Sequence, residues 1–349
     1  MVVVTTLTRA QHSEPDTLDV QFHEINVTYP AKDITIAATI LFPLQGHPTA
    51  GIVMVHGSEG ISRKSSHYRS TALKFVSKGI SVLIADKRGI GETTGEYLEA
   101  PDLHKVSEDI AASVEYLASR KEIRSDKVGL LAFSQGGWIA PLAALKTPFV
   151  SFMIIASGSG VSPRDQVIYQ RGQELLDDGF PEQEVRGISE YRTVLWSYLG
   201  AGTVQGYEAA SSALATARSR AWFGKMKFNE SLPDPTKLAK KEYDYFRHLD
   251  FDPAAAWRNV SCPTLALFGE KDRHVPVHAS VEALTMAFEG KSGLLQVKVF
   301  PGAGHPLRLV KGEKEMLRSR GHSPDNYGEQ PSDYWPTIFG WLHSRGIPQ

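Results

Sequence analysis

The residue best placed to act as a nucleophile is Ser134, in a run of Ala-Phe-Ser-Gln-Gly from 132 to 136. An apolar stretch at 128–132 precedes it and a helical pattern at 138–145 follows it. A sharp strand-to-helix turn exposes a serine hydroxyl only where the residues two before and two after are small, as Ala132 and Gly136 are. The pattern predicts nucleophilic chemistry by Ser134 at a helix N-terminus, where backbone N–H groups favour developing negative charge.

A base and an acid could come from two later segments. His305 ends a Phe-Pro-Gly-Ala-Gly-His run after the stretch at 295–300, and its glycines allow a tight loop that turns the imidazole back toward Ser134. Glu270 and Asp272 follow an apolar run at 264–268. In a serine triad of this chain order, acid and base follow the nucleophile on loops after later strands. We therefore predict that His305 is the base. Either Glu270 or Asp272 could be the acid. Structural roles are expected for His274, His278 and His322.

The run Val-His-Gly-Ser-Glu-Gly at 55–60 follows the first continuous apolar stretch. In this arrangement, one backbone N–H from such a loop and one from the residue after the nucleophile hold an oxyanion. Ser58 and Gln135 are the predicted donors. His56 is expected to order the loop, and Trp138, one helical turn after the nucleophile, is predicted to contact substrate.

The elements that must position these residues follow from the hydrophobic pattern. Continuous apolar runs at 52–55, 82–85, 128–132, 152–155 and 264–268 are typical of strands buried on both faces. Helical periods lie between them, as in Val106, Ile110, Val114 and Leu117. Strands that alternate with helices predict an α/β fold with a mostly parallel central sheet flanked by helices. Alternating runs at 20–25 and 34–40 predict an antiparallel hairpin before that sheet.

Three regions are expected along the chain. Residues 1–18 are polar and aperiodic, and we predict a poorly ordered N-terminus. Residues 19–160 and 259–349 form the α/β core. The strand signals stop at 161–258, which predicts a helical cap. We expect its aromatic residues to form an apolar pocket wall as a group. They include Tyr169, Tyr191, Trp196, Tyr198, Trp222 and Phe223.

Composition and charge exclude several classes of protein. The formal net charge is −1, without the clustered basic surplus of a nucleic-acid binder. The only cysteine is Cys262, so a disulfide framework is impossible, and no metal site is predicted. No apolar run is long enough to cross a bilayer, and the first residues lack the pattern of a secretory signal, so no membrane association and a cytoplasmic location are expected.

A run of Asp-Lys-Arg-Gly-Ile-Gly occupies 86–91. Its glycines could suggest a dinucleotide-binding turn, but Thr94 stands where the third glycine would be. We therefore predict a structural loop, in which Asp86 and Arg88 could pair with each other.

Taken together, these motifs resemble the α/β-hydrolase superfamily, in the branch of bacterial esterases and acyl hydrolases related to dienelactone hydrolases and prolyl-oligopeptidase-like enzymes. The resemblance covers about residues 20–160 and 250–345 and rests on five motifs in order. These are Val-His-Gly-Ser, Asp-Lys-Arg-Gly-x-Gly, Phe-Ser-Gln-Gly-Gly-Trp-Ile-Ala-Pro, Leu-Phe-Gly-Glu-Lys-Asp-Arg-x-Val-Pro and Gly-Ala-Gly-His. It implies that Asp272, shortly before the Val-Pro pair, is the acid rather than Glu270. Two departures are Ala132 in place of the usual first glycine and a long segment between His305 and the last helix.

The resemblance also implies a reaction. We expect a serine hydrolase that cleaves a carboxylic ester of small to medium size through an acyl-enzyme on Ser134, with no cofactor. The same triad also serves peptidases, amidases, thioesterases and carbon–carbon bond hydrolases. A non-catalytic protein that binds a small molecule on this fold is the rival of a different class; such proteins usually lack a triad residue. The partner expected is a small-molecule ester, and the oligomeric state does not follow from the sequence.

Overall fold

The computed structural model describes residues 6–9, 21–44, 48–98, 101–225, 231–238, 244–317 and 324–347. Within these ranges nine strands form one sheet: β1 (Thr6–Arg9), β2 (Gln21–Ala31), β3 (Ile34–Pro43), β4 (Thr49–Val55), β5 (Ser81–Ala85), β6 (Ile123–Phe133), β7 (Val150–Ala156), β8 (Thr264–Gly269) and β9 (Leu295–Phe300). Their order across the sheet is β1-β2-β3-β5-β4-β6-β7-β8-β9.

The strands from β4 to β9 are mutually parallel, as predicted for the continuous apolar runs. Every residue of β4, β5 and β8 is buried, because helices cover both faces of the sheet at these positions. Parallel strands place all their carboxyl ends at one edge, where ligands bind in open α/β sheets. The α/β fold class predicted from the sequence is therefore confirmed.

The predicted hairpin is also present. β2 and β3 pair antiparallel around a turn at Lys32 and Asp33, and both strands are longer than the alternating runs alone indicate. β1 pairs antiparallel with β2, so Thr6–Arg9 form a strand inside the segment expected to be poorly ordered. The rest of that prediction, residues 1–5 and 10–18, lies outside the described residues.

A hydrophobic layer lies on each face of the sheet, between the strands and the helices. Val114 and Leu117, from the helix after β5, belong to the layer on one face, and Ile338 and Leu342, from the last helix, belong to the layer on the other. The helices are α1 (Ser66–Val76), α2 (Leu103–Ala118), α3 (Gly136–Ala144), α4 (Pro163–Asp177), α5 (Glu182–Ala201), α6 (Val204–Arg218), α7 (Asp244–Leu249), α8 (Pro253–Asn259), α9 (Val277–Ala287) and α10 (Tyr334–Ser344).

Helices α4 to α7 interrupt the strand–helix alternation between β7 and β8. Ser162 begins α4 by accepting the Asp165 N–H, and Gly202 ends α5 in the left-handed conformation that favours glycine. Residues 226–230 and 239–243 of this stretch lie outside the described residues. All of α8 except its last residue falls inside the predicted cap range of 161–258, yet Trp257 packs into the core layer of α2 and α3. The division into a core and a cap stays a prediction.

Candidate active site

Ser134 stands in the turn between β6 and α3 with a φ of 50°, in the left-handed region that residues with side chains seldom adopt. The Ser134 N–H donates to the Ala156 carbonyl oxygen at 3.0 Å, and the Gly137 N–H donates to the Ser134 carbonyl oxygen at 2.8 Å. A Cβ at Gly136 would lie 2.8 Å from the Val55 carbonyl oxygen, which explains the glycine there. Strained backbone of this kind concentrates at functional sites.

The structure brings Ser134, His305 and Asp272 together in a hydrogen-bonded row. His305 Nε2 lies 3.1 Å from Ser134 Oγ, and His305 Nδ1 lies 2.8 Å from Asp272 Oδ2. Asp272 follows β8 and His305 follows β9, and these adjacent parallel strands end at the same edge of the sheet. The geometry suits transfer of the serine proton to Nε2 while the carboxylate fixes the other ring nitrogen.

Asp272 and Glu270 occupy different environments although they share one loop. Asp272 is buried, and its Oδ1 accepts the backbone N–H groups of His274 and Val275 at 2.8 and 2.9 Å. Glu270 Oε2 accepts the Gly302 N–H at 2.8 Å, and this contact ties the two loops together away from the imidazole. The carboxylate that contacts His305 is therefore that of Asp272.

Four effects act on the pKa of the His305 imidazole. Burial by itself would lower its pKa, but the charge and hydrogen bond of Asp272, together with the charge of Glu315, outweigh it and raise the pKa of His305 above its ordinary value. The ring of His274 lies 4.8 Å from that of His305, centroid to centroid. A base with a raised pKa accepts the serine proton more readily.

Glu315 is a site residue that the sequence analysis missed. It is fully buried, its Oε1 accepts the His305 N–H at 2.7 Å and the Tyr327 hydroxyl at 2.6 Å, and its Oε2 accepts the Arg273 N–H at 2.8 Å. Burial, followed by the charge of Asp272, raises the pKa of the Glu315 carboxyl. Glu315 thus joins the loops that carry Asp272 and His305.

Two further residues hold these loops and were not predicted. Arg273 pairs with Asp177 of α4 at 3.0 Å and donates to the Gln173 carbonyl oxygen at 2.9 Å. Ser157, at the end of β7 with a φ of 52°, donates its hydroxyl to the His305 carbonyl oxygen at 2.7 Å. Arg273 therefore connects the loop after β8 that carries Glu270 and Asp272, called the acid loop below, to α4. Its position beside Asp272 is the only sequence signal that could have suggested this role.

The predicted oxyanion donors, Ser58 and Gln135, both line the cavity that contains Ser134. Gln135 is the N-cap of α3, and Ser58 belongs to the loop after β4. A Cβ at Gly57 would lie 3.5 Å from the Ser134 Cβ, so this loop passes directly beside the nucleophile. The assignment of the two N–H groups to an oxyanion remains a proposal.

The cavity around Ser134 has a volume of about 890 Å³. Trp138 lines it and donates its indole N–H to the Val161 carbonyl oxygen at 2.9 Å, just before α4. From α4, the cavity wall is formed by Gln166, Val167, Gln170 and Arg171. Trp138 is therefore positioned for the substrate contact predicted for it, which stays a proposal.

The prediction that the aromatic residues of 161–258 form the pocket wall as a group is wrong for most of them. Tyr191, Trp222 and Phe223 pack together in one small core, and Tyr198 packs with Trp196 in a second. Neither these five side chains nor Tyr169 lines the Ser134 cavity, whereas Tyr245 does. A helical layer lying outside the sheet needs a hydrophobic core of its own, and these aromatics supply it.

The predicted pairing of Asp86 with Arg88 is wrong. Asp86 is buried against Arg63 and also accepts the Arg63 N–H at 2.7 Å, while Arg88 pairs with Asp109 at 2.6 Å and with Asp33 at 2.9 Å. The chain turns at Arg88 and at Gly89, whose φ is 72°, so strand geometry does not continue past Asp86 and each residue finds its partner on another element. His56 is buried with its ring edge-on to that of Tyr68, in keeping with the predicted loop-ordering role.

Across the described ranges, no group of three His, Cys, Asp or Glu side chains is arranged to hold a metal ion. Among the helices that the structure describes, none has the length and apolar character needed to cross a bilayer.

Two family models match the chain. The model described as serine aminopeptidase, S33, matches residues 46–221, and the model of the dienelactone hydrolase family matches residues 246–323. One curated relative is the quorum-quenching protein AidA of Acinetobacter baumannii, 28% identical over 113 residues. That match spans 32% of this chain and 36% of the relative, about a third of each.

Solved structures show the same fold. The chain is similar to an esterase of Pyrococcus furiosus, with a TM-score of 0.53 and 15% identity, over 98% of both chains. It is also similar to an α/β-hydrolase of Penicillium sp. sh18, with a TM-score of 0.52 and 17% identity, over 81% of this chain and 91% of that one. At these identities the likeness concerns the fold alone.

Proposed function

The chain belongs to the family described as serine aminopeptidase, S33, among the α/β-hydrolases, and from this premise we propose that it hydrolyses carboxylic esters of small to medium size. The observation that carries the proposal is the row of Ser134 Oγ, His305 Nε2 and Nδ1, and Asp272 Oδ2, with gaps of 3.1 and 2.8 Å. Nucleophile, base and orienting carboxylate at hydrogen-bonding distances are what an acyl-enzyme mechanism requires.

In the first half of the reaction, Ser134 Oγ attacks the ester carbonyl carbon and its proton passes to His305 Nε2. The carbonyl oxygen becomes an oxyanion, held by the backbone N–H groups of Ser58 and Gln135. Asp272 accepts a hydrogen bond from the Nδ1–H group and stabilises the imidazolium. When the tetrahedral intermediate collapses, the bond to the alcohol oxygen breaks, and that oxygen takes the proton from Nε2.

In the second half, a water molecule gives a proton to His305 Nε2 as its oxygen attacks the acyl carbon. The same two N–H groups hold the second oxyanion. Collapse breaks the bond to Ser134 Oγ, which recovers its proton from Nε2, and the carboxylic acid leaves. His305 is therefore base and acid in turn in each half, and no cofactor takes part.

The size of the cavity supports a small or medium substrate. Its volume of about 890 Å³ lies within the range of roughly 300–1,000 Å³ that small-molecule sites occupy. The structural neighbours reported above include a protein named as an esterase, which favours an ester over other acyl compounds. The family description favours one second candidate, cleavage of a peptide or amide bond at the same three side chains.

A substrate panel tests the proposal. The purified protein is assayed with p-nitrophenyl acetate and butyrate, an acyl thioester and aminoacyl p-nitroanilides, against the Ser134→Ala variant as the blank. We expect turnover of the esters that the variant lacks, with the highest kcat/KM on esters. Higher kcat/KM on anilides would favour the peptidase, and no turnover together with tight ligand binding would favour a non-catalytic binding protein.

A further inference from the structure

Lys87 follows β5 and directs its half-buried side chain toward the loop that begins with His56 and Gly57. Its Nζ donates to the Gly57 carbonyl oxygen at 2.6 Å and lies 3.4 Å from Gln135 Oε1. One ammonium group thus contacts both segments that carry the proposed oxyanion donors.

The contact with Gly57 bears directly on Ser58. The Gly57 carbonyl and the Ser58 N–H belong to one planar trans peptide and point in opposite directions. A cation that fixes the carbonyl oxygen therefore fixes the direction of the N–H. It also polarises the peptide, because hydrogen bonds in series strengthen one another inside a protein.

The neighbouring contacts hold the same loop. The Gly57 N–H donates to the Tyr68 hydroxyl at 3.0 Å, and the Tyr97 hydroxyl donates to the Ser58 carbonyl oxygen at 2.6 Å. The peptide between Gly57 and Ser58 is thus held on its flanks by neutral groups and at its centre by the charge of Lys87. A lost charge should change its polarisation while the neutral contacts keep the loop in place.

On the basis of the proposed ester hydrolysis, we propose that Lys87 is a positioning residue that aims and polarises the Ser58 N–H for the oxyanion. Its contribution should be larger in the transition state than in the bound substrate, because the negative charge on the carbonyl oxygen develops only there. Loss of Lys87 should therefore lower kcat and leave KM nearly unchanged.

The surroundings of Lys87 give the proposal a pH signature. Burial lowers the pKa of Lys87 to about 8, and within the described residues no carboxylate forms an ion pair with it. Lys87 lines a small cavity together with four other charged residues, Asp86, Arg88, Asp109 and Glu96. Asp86 pairs with Arg63, Arg88 pairs with Asp109, and Glu96 is exposed.

Two rings, those of His56 and Tyr97, also face Lys87. Burial lowers the pKa of His56 to about 3, and the Tyr97 ring lies 5.6 Å from the ammonium. As pH rises through about 8, Lys87 loses its proton and the polarisation of the Ser58 peptide with it. The activity of the native protein should accordingly fall on the basic side of neutrality.

The test compares Lys87→Met and Lys87→Arg with the native protein in kcat, KM and inhibition by an aryl boronic acid, which forms a tetrahedral anion on an active serine. Removing one oxyanion donor costs roughly 10²–10³ in kcat, so we expect an indirect loss of about tenfold in Lys87→Met, with boronate affinity reduced in parallel. The arginine variant should keep kcat and move the basic limb of the pH profile upward.

Lys127→Met is the matched control, because Lys127 Nζ also contacts a backbone carbonyl oxygen, that of Arg345, before the buried part of β6. It should leave kcat, boronate affinity and the pH profile unchanged. A folded Lys87→Met variant with native kcat would overturn the proposal. If that variant does not fold, an unmoved basic limb in Lys87→Arg overturns it instead. Failure of the native protein to react with a fluorophosphonate would count against ester hydrolysis itself, not against Lys87 alone.

Discussion

The buried carboxylate of Glu315 accepts the backbone N–H of His305 at 2.7 Å. After His305 the chain leads away from the end of β9 and then folds back. This path places the Glu315 carboxylate against the loop that carries His305. Gly304 allows the approach, because a Cβ there would lie 2.6 Å from Glu315 Oε1. The long segment before the last helix thus supplies a second carboxylate beside Asp272.

This relationship predicts a change in the pH profile. The charge of Glu315 contributes to the raised pKa of His305, so Glu315→Gln should lower that pKa and move the acid limb of kcat/KM to lower pH. The native acid limb should lie above the ordinary histidine value of about 6.5, since the imidazole must be neutral to act as a base.

The matched control for this experiment is Glu270→Gln. Glu270 lies on the acid loop and also accepts a backbone N–H, that of Gly302, but no hydrogen bond or ion pair joins it to His305 among the described residues. It should leave the acid limb in place. An acid limb that does not move in Glu315→Gln would show that this carboxylate only holds the loops.

The two carboxylates of the acid loop should differ in their effect on turnover. Asp272→Asn leaves the imidazole without the acceptor that fixes its tautomer. The corresponding change in the triad of a serine protease lowers kcat about 10⁴-fold. Glu270→Gln should cost far less, because it removes only a charge from a contact between loops. Steady-state kcat of both variants, with circular dichroism as a check on folding, decides the matter. Equal losses would remove Asp272 from the role of acid.

Most of the fold could be predicted from the sequence because burial on both faces leaves a continuous apolar run, as in 52–55 and 264–268. Ser134 and His305 could be predicted because each follows the end of a recognisable strand, β6 or β9, in a loop with glycines beside it. Glu315 could not. In the sequence it lies among Lys311, Glu313 and Lys314, where a charged residue suggests a solvated surface, and only the folded path of 306–317 buries it.

The sequence also could not predict where the aromatic side chains of 161–258 lie. The density of aromatics in 161–258 indicates a hydrophobic environment, but not whether that environment is the pocket or the interior of the helical layer. Helical spacing gives each side chain a direction relative to its own helix, while the partner of that face depends on how the helices pack. In this chain Trp222 faces α5 and Val167 faces the cavity.

That difference yields a prediction about substrate size. Val167→Trp should fill part of the cavity and shift preference toward shorter acyl chains, seen as a larger rise in KM for p-nitrophenyl octanoate than for the acetate. Trp222→Ala should lower Tm, because removing a large buried side chain typically costs about 3–5 kcal/mol. Its effect on KM should be about the same for both substrates. A changed chain-length preference in Trp222→Ala, or none in Val167→Trp, would contradict this division of roles.

The loop after β5 offers a stability test. Gly91 has a φ of 60°, and a Cβ there would overlap the Asp86 carboxylate, which holds Arg63. Gly290→Ala is the control, because Gly290 has a φ of 77° and nothing within 4 Å of the added carbon. Both should lose about 1–2 kcal/mol from the left-handed backbone, and Gly91→Ala should lose more. Equal losses in urea unfolding would show that the Asp86 contact adds nothing.

The central claim is that Ser134 is the nucleophile, and mass spectrometry of the fluorophosphonate-treated protein tests it most directly. We predict one adduct, on the peptide that contains Ser134, and none on a folded Ser134→Ala variant, whose kcat should fall by a factor on the order of 10⁶. The cavity is also lined by Ser58, Ser65 and Ser157, so the reagent reaches other hydroxyl groups. An adduct on one of these, or undiminished labelling of Ser134→Ala, would contradict the account.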